Sequence, residues 1–107
     1  MADEQQRPTE EELREALDRI GVADILLNAL SATASIGFRR VSVDARDLGE
    51  VKLAIESLRA LEPVLREAGV DEAVVRDLEQ ARTNLQLAYA SAVAEESSGG
   101  DAEPSDA

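Results

Sequence analysis

Apolar positions recur at helical spacing in four separate stretches, and this pattern predicts an all-α chain. In the first stretch Leu13, Ala16, Leu17 and Ile20 follow Thr9, which suits an N-cap, with Glu12 at the third helical position and acids in the first turn. A helix over residues 10–20 follows. Gly21 interrupts it, and Asp24 lies where a carboxylate suits a new helix start, so a second helix is expected over 22–36. A helix continuous through Gly21 stays open, because one interior glycine costs only about 1 kcal/mol. Gly37 is read as the left-handed residue that ends the second helix, and Phe38 to Arg46 as a connector.

Asp47 and Glu50 have the spacing of a capping box, which starts a third helix over 48–68 that stops at Gly69. Pro63 lies inside it and predicts a kink or a broken turn near Arg59 to Glu62. Asp71 is the expected N-cap of a fourth helix over 72–94, with Val70 placed to meet Leu65 across the Gly69 stop and Val75 as a hydrophobic staple. So short a link makes the third and fourth helices antiparallel neighbours of matched length, roughly 31 and 34 Å at about 1.5 Å per residue.

The helix faces say how these elements are used. On the fourth helix Val74, Leu78, Ala81, Leu85, Ala88 and Ala92 form one narrow seam, with Leu87 on the opposite side. The third helix has an apolar arc of about 220°. Val51, Ile55, Leu58 and Leu65 make one seam, and Leu53, Ser57, Ala60 and Val64 make another. The second helix is wider still, leaving only Asp24, Asn28, Ser31 and Ser35 as a polar stripe. One partner helix cannot cover two seams, and about 80 ordered residues bury too little to cover all this surface. Self-association, as a dimer or higher, is therefore expected, with Leu53, Ala60, Val64 and Leu87 as the candidate oligomer seam.

Charge and composition narrow the chemistry. The chain has 107 residues, 23 acidic and 11 basic, with neither His nor Cys. That removes Ser-His-Asp and Cys-His nucleophiles, thiolate zinc sites and redox dithiols. Residues 1–12 carry five acids and one base, and residues 95–107 five acids and no base, so the acidity sits mainly in the tails. The nearly balanced middle lacks the positive field that sequence-independent nucleic-acid binding needs, so DNA is not expected as a partner. The compositions assign 1–9 and 95–107 to disordered acidic segments flanking a helical domain over 10–94. The polar opening contains no signal-peptide pattern, which by default implies a cytoplasmic address.

Residues 20–38 carry a single charge, Asp24, and invite comparison with a transmembrane span. Burying that acid in lipid costs roughly 2.5 to 3.5 kcal/mol, and the polar stripe recurs at helical spacing, so a bundle helix is the expected reading and no membrane contact is assigned. Asp44, Asp47 and Glu50 are all oxygen donors, yet two of them are explained by the capping box and the spacing is not that of an EF-hand. No metal or cofactor is expected. Phe38, Arg39 and Arg40, with Arg46 nearby, form the one local basic cluster and the candidate partner contact, since guanidinium groups beside an aromatic suit bases, phosphates or carboxylates.

Ala34-Ser35-Ile36-Gly37, Leu53-Ala54-Ile55-Glu56-Ser57-Leu58 and Leu85-Gln86-Leu87-Ala88-Tyr89 resemble the small bacterial family called domain of unknown function 1844, over about residues 22–93. Glu56 and Gln86 depart from the Asp and Arg usual there. The resemblance implies a helical protein with no established activity and no catalytic residues, in a setting linked to translation. The resulting expectation is a non-enzymatic, oligomeric protein-protein interaction module, the alternative being an RNA- or ribosome-associated regulatory factor.

Overall fold

The computed structural model describes residues 9–106, with side chains over 9–98. Four helices follow one another: α1 (Glu10–Arg19), α2 (Val22–Val41), α3 (Leu48–Glu67) and α4 (Glu72–Asp106), with a 3-10 turn at Val43–Ala45 between α2 and α3. No strand occurs among the described residues. This is the small all-helical bundle that the apolar spacing predicts. Of the two expected flanking segments, residues 1–8 lie outside the described residues.

Local chemistry sets most of the boundaries. Thr9 Oγ1 accepts from the Glu12 N–H at 3.1 Å, and Asp47 Oδ1 from the Glu50 N–H at 3.2 Å. The Asp47 N–H donates to the Arg40 carbonyl at 2.8 Å, so only half of the expected capping box forms and the other donor ties the start of α3 to the end of α2. At the α3 stop Gly69 takes φ +84°, its N–H bonds to the Arg66 carbonyl, and the Val70 N–H reaches the Leu65 carbonyl, both at 3.1 Å. This is a complete Schellman turn. Asp71 Oδ1 then accepts from the Ala73 N–H at 2.9 Å, and Val75 is fully buried, as its staple position requires.

The sequence reading holds at Gly21 and fails further along the chain. The break at Ile20–Gly21 is real, and α1 meets α2 at 79°. Gly37 does not end α2, which runs on to Val41; Gly69 is the positive-φ glycine among the described residues. Gly37 is instead a packing residue: a Cβ there would stand 2.6 Å from Leu85 Cδ2 and 3.1 Å from the Ala54 Cβ, so glycine lets α2, α3 and α4 meet closely. Phe38, Arg39 and Arg40 therefore occupy the last turn of α2, not a connector. Pro63 causes no broken turn, for α3 runs as one helix from Leu48 to Glu67.

α4 also continues beyond the Ala94 end expected for it, through residues read as an unstructured tail, to Asp106. A packed face nucleates a helix, whereas each further residue needs only its own backbone hydrogen bond to extend it. Glu95, in this extension, pairs with Arg46 at 3.1 Å.

α2, α3 and α4 pack against one another, while α1 lies clear of all three. Leu30 and Ala34 from α2, Val51, Ala54, Ile55, Leu58 and Leu65 from α3, and Val75, Leu78 and Leu85 from α4 make the core. The first α3 seam is thus buried as expected, with α4 covering it on one side and α2 on the other.

Candidate interaction surface

Asp44 and Asp47, two of the acids weighed as oxygen donors, are spent on structure. Asp44 pairs with Arg39 at 3.2 Å, and Asp47 caps α3. Among the described residues no group of three His, Cys, Asp or Glu is placed to hold a metal ion. Arg66 joins Glu72 at 3.1 Å and also Glu79, clasping the α3–α4 turn. The hydrogen bond from Arg66 holds the Glu72 carboxyl below the usual carboxylate range.

Phe38, Arg39, Arg40 and Arg46 do not converge on one patch. Three successive residues of a helix point about 100° apart, which sends Phe38 and Arg40 to different sides of α2. Arg46 donates from Nε and Nη2 to the Val41 carbonyl, at 3.1 and 3.0 Å, and from Nη1 to Glu95. It supplies an acceptor's partner at the C-terminal end of α2, where carbonyls lack helical donors. Arg40 alone of the four is a guanidinium with no ion pair among the described residues.

A different surface stands out. Along α2 the half-buried or buried line runs through Ala23, Leu26, Leu30, Ala34, Gly37 and Val41. A second line, Val22, Ile25, Ala29, Ala32 and Ile36, has steps of 3, 4, 3 and 4 and is exposed throughout, Ile25 at 58% and Ile36 at 54%. On α3 the second seam is uncovered in the same way: Leu53 is 61% exposed, Ala60 and Val64 are exposed, and Ser57 is half-buried. A shallow groove of about 180 Å³, lined by Thr33, Ile36, Glu50, Leu53 and Ala54, joins the two lines. Because α2 and α3 are consecutive and antiparallel, Ile36 lies near Leu53 at one end, and Ile25 falls toward Val64 at the other.

This apolar strip lies on the face of the α2–α3 pair that α4 leaves open. Leu87 is exposed as expected but points outward from α4, so the structure does not join it to Leu53, Ala60 and Val64. The Ile25 and Ile36 line was missed as a site in the sequence reading, although its heptad spacing was present there.

No single helix among the described residues is long and apolar enough to cross a membrane; α1 and α2 combine that length and composition only as a pair, across their 79° bend. Comparison with family models, curated proteins and solved structures finds no match to this chain.

Proposed function

We propose that this protein is a non-enzymatic protein-protein interaction module that self-associates through the open face of α2 and α3. The observation that carries this reading is the pair of adjacent heptad lines, Val22 to Ile36 and Leu53 to Val64, left without a covering helix among the described residues. Two apolar lines flanking a groove suit a helix or a second such face, and isolated exposed apolar residues do not line up in this way. The dispersed arginines support a protein partner over an RNA, since they form no continuous basic stripe. The resemblance to domain of unknown function 1844 supports a place in translation, with a component of that machinery as the further partner.

Sedimentation of the native chain at tens of micromolar tests the reading, and a dimer or larger species is expected. Leu53→Glu should move the mass toward monomer, because an unpaired charge in an apolar interface is costly. A native chain that sediments as a monomer overturns the self-association. For the further partner, capture from RNase-treated and untreated native lysates should give the same protein species; loss of capture after RNase favours the RNA-associated alternative.

A further inference from the structure

α1 is an amphipathic helix whose apolar stripe is left uncovered among the described residues. Leu13, Leu17 and Ile20 stand at positions i, i+4 and i+7, Leu17 at 67% exposure, and no residue of α1 is buried. Isolated helices shorter than about 12 residues are marginal in water, so a ten-residue helix needs its stripe buried to persist.

The elbow before α2 keeps α1 from its own groove. Ile20 and Gly21 are both extended, the Ile20 N–H donates to the Leu17 carbonyl at 3.2 Å, and the Gly21 N–H donates to Asp24 Oδ2 at 3.1 Å. These bonds hold the 79° bend, which directs α1 away from the bundle instead of folding it back along α2. The chain thus presents an apolar arm and, separately, an open apolar groove.

The two match in pattern. The arm offers the spacing by which amphipathic helices enter grooves, and the groove between Ile36 and Leu53 is bordered by apolar lines on both sides. α1 carries Glu10, Glu11, Glu12, Glu15 and Asp18 against only Arg14 and Arg19. Arg40, one turn beyond Ile36 on the same side of α2 and without an ion pair among the described residues, is a cation open to that acidic helix, while Glu50 puts a carboxylate in the groove lining itself. We propose that α1 of one copy docks through Leu13, Leu17 and Ile20 in the α2–α3 groove of a second copy, reciprocally, about a two-fold axis. This rests on the self-association reading and names the element that mediates it. Reciprocity makes each copy contribute an arm and a groove, which doubles the apolar area covered by one arm and moves the interface toward the roughly 800 Å² per partner of stable pairs.

Full-length chains with Leu17→Glu or Leu53→Glu, alone and mixed, test the exchange by sedimentation. Both positions are exposed in the single copy, so the α2–α4 bundle should keep its fold, with helix content falling by no more than the ten residues of α1 and the thermal midpoint losing only what association adds. Each variant alone should weaken dimerisation by about 30-fold or more, the scale of an interface anchor. Mixing the two should give a pair tighter than either variant forms alone and weaker than the native dimer, because the intact arm of the Leu53→Glu chain enters the intact groove of the Leu17→Glu chain while the other arm and groove both carry a glutamate. If each variant is monomeric and the mixture stays monomeric, the exchange is overturned. A Leu17→Glu chain that still dimerises also overturns it, while leaving self-association through the open face in place. A native chain that is monomeric overturns both.

Discussion

Arg82 Nε donates to both carboxylate oxygens of Glu62, at 3.0 and 2.8 Å, across the α3–α4 interface, while its Nη1 holds Gln86 Oε1 at 3.1 Å. Glu62 is 4% exposed and fills the next position of the Val51, Ile55, Leu58 line, a charge among core residues. Removing one partner leaves the other unpaired in the interior. Arg82→Ala is expected to lower stability by about 3 to 5 kcal/mol, whereas replacing both residues by Met should cost far less. Denaturant unfolding of the single and double variants checks the contrast.

Gly37→Ala offers a test of sign. At an exposed interior helix position this change gains about 1 kcal/mol from helix propensity. Here the added Cβ meets Leu85 and Ala54, both buried, so a net loss of about 1 to 3 kcal/mol is expected from overpacking. A raised thermal midpoint would show that Leu85 yields without cost and that Gly37 is not what sets the helix spacing.

Arg46 and the pair Arg39 and Arg40 should part company. Arg46→Ala removes two hydrogen bonds to the Val41 carbonyl and the ion pair with Glu95, with an expected loss of about 1 to 3 kcal/mol. The double change Arg39→Ala and Arg40→Ala touches one exposed ion pair and should stay within about 0.5 kcal/mol. Chemical denaturation of the two variants side by side decides.

Acid sensitivity follows from the Arg66 clasp. Glu72 has its folded-state pKa lowered by the Arg66 hydrogen bond, so its contribution is present above the unfolded value of 4.5 and fades as pH falls through the lower folded value. A carboxyl titration followed by NMR should place Glu72 below an ordinary glutamate, and Arg66→Ala should bring it back up. An unchanged Glu72 midpoint in that variant would mean that another group sets it.

Leu87 and Leu53 are both exposed leucines on helices, yet only one lies on the open α2–α3 face. Leu87→Glu should leave the sedimenting mass unchanged where Leu53→Glu lowers it. Equal effects would place the interface on α4 as well.

The amino-acid sequence by itself determined the helix starts and stops that rest on bonds within a few residues: the Thr9, Asp47 and Asp71 caps and the Gly69 turn. It also determined the two α3 seams, because helical period alone sorts Val51, Ile55, Leu58 and Leu65 from Leu53, Ala60 and Val64. Tertiary structure decided the rest, since each remaining feature depends on a residue far away in the chain. Gly37 reads locally as a helix end until Leu85 is seen against it, and Arg46 as a partner contact until Glu95 and the Val41 carbonyl take its donors. Glu62 is one glutamate among many until Arg82 meets it from α4. Likewise, which apolar line stays uncovered was fixed only when α4 packed on one face of α2 and α3 and the Gly21 elbow turned α1 away from the other.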